Sequence, residues 1–97
     1  MRIVVEREIP SFKGYWARND GTVTKTCGVN TRGCLHKQID RHEVKIEYKK
    51  YLVNRLIASA WVENPRPDFF FLVDHKDRNT HNNQPENLRS VTYFTDG

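Results

Sequence analysis

The chain has 97 residues, 37% of them hydrophobic, and its 16 Lys+Arg outnumber its 12 Asp+Glu, which gives a net charge of +4. A chain of this length holds one modest core, and its hydrophobic share argues against disorder. The longest apolar run, residues 69–73, is too short to span a bilayer, and charges from Glu6 onward break any secretion-like start. We therefore expect a cytoplasmic protein, and its positive charge permits a nucleic-acid partner.

Two cysteines, Cys27 and Cys34, are too few for a disulfide-rich scaffold, and without a secretion signal we expect free thiols. A single bridge between them stays open. His36 and His42 follow closely, so a structural zinc site is an alternative. The Cys-x6-Cys-x-His-x5-His spacing lacks the short Cys-x2–4-Cys pair typical of such sites, which makes zinc the weaker interpretation.

The first third of the chain has the composition of turns and short strands. Residues 19–23, Asn-Asp-Gly-Thr-Val, are typical of a hairpin turn, and residues 31–33 predict a second turn. Tyr15, Trp16 and Val23 flank the first turn and could be cross-strand neighbours. This region is expected to be rich in hairpins.

In the middle of the chain the spacing of the apolar residues changes from that of a strand to that of a helix. Residues 43–49 alternate, with Val44, Ile46 and Tyr48 on one face, which predicts a half-buried strand. From residue 52 to residue 61 the apolar side chains recur at helical spacing, and prolines at 65 and 67 prevent the helix from continuing.

The last third predicts strand, polar loop, strand and the start of a helix. Residues 69–73 form an apolar run with strand-like composition, and residues 88–91 predict a second short strand. Between them lies a stretch rich in loop-forming side chains, beginning with Asp74 and His75. Thr92 is a plausible N-cap. An aspartate and a histidine at the end of a buried strand indicate a functional loop.

The segment LVDHKDRNTHNNQPENLRSVT, residues 72–92, resembles the ββα-metal core of HNH endonucleases, in the branch common among phage and homing nucleases. The helix before it and residues 8–23 are similar to segments that accompany that core. The resemblance implies an α+β fold in which an N-terminal short-strand region and one helix pack on a C-terminal ββα-metal (His-Me finger) motif. We expect one compact domain, 1–97, with a DNA-contacting β-rich region, 1–50, and a nuclease core, 51–97.

The resemblance also implies the roles of four residues. His75 would be the general base and Asn87 would tie the loop and orient it, while Asp74 and Asp96 would hold one divalent cation. An imidazole titrates near neutrality and a carboxylate oxygen suits Mg²⁺, with Mn²⁺ or Ni²⁺ as alternatives, so the residue types fit these roles. Asp96 stands where the family usually has Asn or His.

DNA cleavage of this kind would leave 5′-phosphate and 3′-hydroxyl ends. The expected partner is double-stranded DNA, contacted by a monomer or homodimer, in a phage or bacterial host cell and with a phage-encoded protein as a further candidate partner. Basic residues expected to contact DNA lie around the site and in the N-terminal half: Lys76, Arg78, Arg89, Arg18, Arg32 and Lys37.

Two alternatives and one departure from the family accompany this interpretation. The chain ends one residue after Asp96, so the site could be degenerate and the protein a DNA-binding or regulatory module. His81 is a rival base or ligand, although its polar neighbours favour a solvated loop histidine. Asn54 replaces a histidine of the family and is expected at the helix surface or bracing the loop.

Overall fold

The computed structural model describes residues 3–64 and 72–91. The first part forms an antiparallel sheet in which β1 (Glu6–Glu8), β2 (Trp16–Arg18), β3 (Val23–Thr24) and β4 (Asn30–Thr31) follow one another in chain order. The β2–β3 turn covers the Asn-Asp-Gly-Thr stretch, so the predicted hairpin is confirmed. Ala17 and Val23 are paired there and fully buried, and they begin the core.

A second antiparallel sheet contains β5 (Cys34–His36), β6 (Arg41–Ile46) and β7 (Lys49–Leu52). The sequence predicted one strand through residue 49, and this is wrong at its end. Glu47 and Tyr48 both have positive φ, as in a two-residue hairpin turn, and the chain reverses there. Tyr48 is consequently 94% exposed, whereas Val44 and Ile46 are buried as expected.

The helix α1 (Val53–Trp61) packs one face against the sheets and so confirms the predicted helical stripe. Val53, Leu56 and Ile57 are buried in the core. Asn54 is also buried, 3% exposed, and its Nδ2 donates to the Val73 carbonyl at 3.3 Å. Asn54 therefore braces a strand from inside the protein and does not lie on the helix surface.

The C-terminal part of the described chain is a pair of antiparallel strands, β8 (Leu72–His75) and β9 (Leu88–Val91), joined by a long loop that ends in a 3-10 turn, Pro85–Asn87. The two predicted strands are thereby confirmed where they are described. The start of the first, residues 69–71, and the helix predicted from Thr92 lie outside the described residues. The fold is a small α+β arrangement of one helix and several antiparallel sheets.

No helix in residues 3–64 and 72–91 is both long enough and apolar enough to cross a membrane.

Candidate active site

Strand β8 directs its last two side chains to opposite sides because successive residues of an extended chain alternate. Asp74 lies opposite Arg89 across the strand pair, and His75 lies opposite Leu88. Asp74 is half-buried on the outer side, whereas His75 is 3% exposed and faces the interior. The two residue types that suggested chemistry in the sequence are therefore adjacent in the chain but have separate environments.

Asp74 forms an ion pair with Arg89. The guanidinium donates from Nε at 3.2 Å and from Nη2 at 2.9 Å, and both hydrogen bonds reach the same carboxylate oxygen, Oδ2. The two side chains are each about 40% exposed, at 39% and 43%. Oδ1 takes no part in this ion pair. A carboxylate oxygen is a hard donor, which is the type of ligand that a divalent cation prefers.

His75 is held by Asn83. The ring Nε2 lies 2.8 Å from Oδ1 of Asn83, and both residues are buried. An amide oxygen only accepts hydrogen bonds, so Nε2 carries the proton in this pair and the basic lone pair of the neutral ring is on Nδ1. The contact therefore fixes both the ring orientation and the nitrogen that could take up a proton.

Asn87 closes the loop that connects the two strands. Its Nδ2 donates to Oδ1 of Asp77 at 2.8 Å and to the Asn82 carbonyl at 2.9 Å, and its Oδ1 accepts from the Asp77 backbone N–H at 3.1 Å. Its own carbonyl accepts from Lys76 N–H at 2.7 Å. The hydrogen bond to His75 comes from Asn83, so Asn87 acts on the loop backbone and on Asp77.

The carboxylate of Asp77 is the acceptor that organises this loop. It receives hydrogen bonds from the Asn79 backbone N–H at 2.7 Å, from Asn87, and from Asn82 Nδ2 at 3.1 Å. These bonds, chiefly the backbone bond from Asn79, lower the pKa of Asp77 below its ordinary value. Arg78 next to it has a φ of 63°, which marks a tight turn. The ionised aspartate thus stabilises the turn that follows His75.

The backbone N–H of His81 donates to Oδ1 of Asn79 at 3.1 Å, but its side chain lies outside this network. Its Nε2 is 2.7 Å from Oδ1 of Asp40, and its ring meets the His42 ring edge-on at 4.9 Å between centroids. Asp40 has a lowered pKa, chiefly through its hydrogen bond with His81. Burial, followed by the nearby His81 and Arg32, lowers the pKa of His42. His81 is exposed, as the sequence indicated, but it is paired with a carboxylate and not simply solvated.

The basic residues expected to contact DNA fall into different settings. Lys76 and Arg78 are exposed on the loop that follows His75. Arg89 is engaged by Asp74, and Arg18 donates from Nε to Glu6 at 3.0 Å. Arg32 lines a polar cavity of about 210 Å³ together with His42 and the 81–84 segment, whereas Lys37 lies beside β5 at a separate concavity.

Only one of the two expected metal ligands lies among the described residues. Asp74 is on β8, and Asp96 lies outside the described residues. In the described segments, no group of three or more His, Cys, Asp or Glu side chains could hold a metal ion. Cys27 and Cys34, considered above for zinc, are free and exposed.

Asn83 is the residue of this site that the sequence interpretation missed. In the sequence, Asn82-Asn83 belongs to the loop-forming stretch and to the segment that resembles the HNH core, but neither pattern gives Asn83 a role of its own. The available signal was its position: a residue on the loop that returns toward β8 can reach the end of that strand. Composition could not tell which asparagine turns inward, because that depends on the turn made by Asp77 and Arg78.

Comparisons with known proteins place these residues in a family. Residues 70–93 match the family model described as HNH endonuclease. A solved structure described as "DNA binding and cleavage by the HNH homing endonuclease I-HmuI" is similar over 91% of this chain, with 30% sequence identity and a TM-score of 0.74. The alignment spans 52% of that chain, about half its length. No curated protein matches the sequence.

The family match covers β8, β9 and the loop between them, with Asp74, His75, Asn83, Asn87 and Arg89, and the structural match includes most of the N-terminal sheets. The paired strands, the Asp-His end of β8 and these two matches support the HNH endonuclease family for this chain.

Proposed function

We propose that this protein is a metal-dependent DNA endonuclease that hydrolyses a phosphodiester to 5′-phosphate and 3′-hydroxyl ends. The observation that carries the proposal is the pairing of buried His75 with Asn83 next to the outward carboxylate of Asp74. The printed description of the similar homing endonuclease names DNA binding and cleavage, which supports the same substrate.

His75 supplies the base. Its Nε2–H donates to Asn83, so Nδ1 accepts the proton of an attacking water. The water oxygen then forms a bond to phosphorus while the bond from phosphorus to the 3′ oxygen breaks. The departing 3′ oxygen takes up a proton from solvent to give the hydroxyl, and Nδ1 afterwards returns its proton to solvent. As Nδ1 becomes protonated, the Asn83 oxygen stabilises the imidazolium through the hydrogen bond at Nε2.

Asp74 and Asp96 would hold one divalent cation, Mg²⁺ by preference. The half-exposed carboxylate of Asp74 fits this role by its oxygen chemistry and its position beside His75. When bound, such an ion supplies positive charge to a non-bridging phosphate oxygen and to the leaving 3′ oxygen. Arg89, already at Asp74, adds a guanidinium that can contact the phosphate.

Asn87 has a positioning role in this proposal. It connects Asp77, Asn82 and Lys76 through four hydrogen bonds and so fixes the loop on which Asn83 is carried. Lys76 and Arg78 lie exposed on the same loop and would contact the DNA backbone. The same loop would therefore both contact the substrate and orient the base.

The alternative is a DNA-binding or regulatory module without cleavage. The ion pair between Asp74 and Arg89 favours this candidate, since a carboxylate already neutralised by a guanidinium attracts a cation less strongly. Such a module would bind DNA through the same exposed basic residues but would not hydrolyse it.

A plasmid-nicking assay with Mg²⁺, Mn²⁺ or Ni²⁺, repeated with EDTA, distinguishes the two. We expect cleavage that requires the metal and is abolished in His75→Ala, while DNA affinity persists. His81→Ala is the matched control, because His81 is a histidine of the same loop whose ring pairs with Asp40. It should cleave nearly as the unchanged protein does.

Salt-sensitive DNA binding without cleavage under all three metals would support the module instead. Cleavage by His75→Ala at the unchanged rate would show that another group is the base.

A further inference from the structure

The tip of the β2–β3 hairpin presses on the peptide that follows Asn83. Gly21 is buried there with φ +87°, and a Cβ built on it would lie 2.8 Å from the Asn83 carbonyl carbon, 3.0 Å from Gln84 N and 3.1 Å from the Asn83 oxygen. These are backbone atoms, which cannot rotate aside as the end of a side chain can. Hairpin and loop are therefore in direct main-chain contact.

The hairpin tip is itself firmly held. Gly21 N–H donates to the Arg18 carbonyl at 3.0 Å, and Arg18 N–H donates to the Thr22 carbonyl at 2.9 Å. Oδ1 of Asp20 accepts from both the N–H and the hydroxyl of Thr22, at 3.0 and 2.6 Å. An aspartate that bonds the backbone two residues ahead stabilises such a turn. The surface against which Asn83 rests is thus fixed by hydrogen bonds.

Asn83 connects this contact to His75. Its main chain rests on Gly21, and its side-chain oxygen bonds Nε2 of His75. Asn83 is 6% exposed and His75 is 3% exposed, so both residues are largely enclosed by protein. A displacement of the 83–84 peptide would move the amide oxygen away from the ring, or turn it.

We propose that the hairpin tip, residues 18–22, is a positioning element for the base: Gly21 sets the place of the Asn83 peptide, and Asn83 in turn holds His75 with its proton on Nε2. The consequence for cleavage rests on the proposed function, but the effect on the His75 ring does not. The N-terminal sheet then contributes to the active site through geometry, besides any contact with DNA.

The variant that tests this is Gly21→Ala, and the chain offers a matched control in Gly28→Ala. Both glycines have φ +87°, but a Cβ at Gly28 meets nothing within 4 Å. Both substitutions therefore introduce the same backbone strain, and only the one at Gly21 pushes on the Asn83 peptide. Asp20→Ala is a second variant that loosens the tip without adding a Cβ, and it serves if Gly21→Ala does not fold.

The primary measurement is the pair of ¹⁵N ring shifts of His75 in histidine-labelled protein, which report which nitrogen is protonated. We expect the Nε2–H form in the unchanged protein and in Gly28→Ala, and a mixture of the two neutral forms in Gly21→Ala, Asp20→Ala and Asn83→Ala. The cleavage rate should fall at least about tenfold in the same variants, since a misplaced catalytic group can cost up to about 100-fold.

A double-mutant cycle gives a second test of the proposal. If Gly21 acts through Asn83, the rate of the Gly21→Ala/Asn83→Ala double variant should equal that of Asn83→Ala alone. The proposal is overturned if Gly21→Ala and Asp20→Ala keep the His75 shifts of the unchanged protein, or if Gly28→Ala alters them equally. If the variants alter the His75 ring shifts but the unchanged protein cleaves no DNA, the positioning element is supported and the proposed function is rejected.

Discussion

Arg89 and Asp74 face each other across the β8–β9 pair, and both hydrogen bonds of the guanidinium go to one carboxylate oxygen, Oδ2. The arrangement leaves Asp74 oriented but partly neutralised. If the protein is the proposed nuclease, Arg89 and a divalent cation would compete for this carboxylate. Arg89 would then have two opposed effects, one on metal affinity and one on the phosphate.

Arg89→Ala is expected to bind Mn²⁺ more tightly and to cleave more slowly. Loss of an exposed guanidinium partner removes up to about 1 kcal/mol of competing attraction, so the Kd should fall by up to about fivefold. Isothermal titration calorimetry with Mn²⁺ in the absence of DNA gives the affinity. Arg89→Lys keeps the positive charge but not the planar guanidinium, so its Mn²⁺ affinity should lie between those of the unchanged protein and Arg89→Ala. Unchanged Mn²⁺ affinity in both variants would argue that Asp74 is not a ligand.

Asp77→Asn should change how stability depends on pH. The lowered pKa of Asp77 means that the folded state favours the ionised carboxylate, so its contribution is complete above the ordinary value of 3.8 and is lost as the pH falls through the lowered pKa. We expect Asp77→Asn to lower the Tm at pH 7 and to differ less from the unchanged protein in acid. Glu6 and Asp40 also have lowered pKa values, so the variant still loses some stability in acid.

Thermal unfolding followed from pH 7 downward checks this. A Tm difference between the two proteins that stays constant over the whole range would contradict a role for the ionised carboxylate.

Strands β6, β8 and β9 and the helix followed from local pattern, whereas β5, β7 and the turn between β6 and β7 did not. Alternation through Val44 and Ile46 correctly predicted their burial, but nothing in the composition of Glu47-Tyr48 marks a turn that normally favours Asn or Gly at positive φ. The reversal is decided by the pairing of β6 with β7 and by the packing of Val53, which are properties of the tertiary fold.

The same limit applies to the site. Asp74 and His75 stood out because polar residues end an apolar strand, and the sequence could place them without the fold. The partners of these residues could not be assigned in this way. Which asparagine reaches His75 depends on how the loop between the strands turns, although Asn83 is only 8 residues along the chain. The contact of Gly21 with the Asn83 peptide joins positions 62 residues apart (from 21 to 83), which no local pattern encodes.

Arg78→Ala should weaken DNA binding uniformly across sequences and reduce its salt dependence. An exposed arginine that meets one phosphate releases about one counterion, so the slope of log K against log salt should become shallower by about 0.9. Arg18→Ala is the comparison, since Arg18 is already engaged by Glu6 and should change the slope less. Fluorescence anisotropy with a labelled duplex at several salt concentrations measures both. Equal changes in the two variants would mean that the loop after His75 is not the preferred phosphate contact.

Asn54→Ala should destabilise the protein from within. Asn54 is 3% exposed on α1 and donates to the carbonyl of Val73, the residue before Asp74. Removing the amide takes this donor from a part-buried carbonyl, and the loss of such a hydrogen bond costs about 0.5–1.5 kcal/mol of unfolding free energy. Urea unfolding measures the loss, and Arg55→Ala, one residue along on the exposed side of the helix, is the control and should change the free energy by less than about 0.5 kcal/mol. Because the bond ties α1 to β8, cleavage should fall in Asn54→Ala even at temperatures where the variant is folded; full activity there would show that β8 keeps Asp74 and His75 in place without the helix.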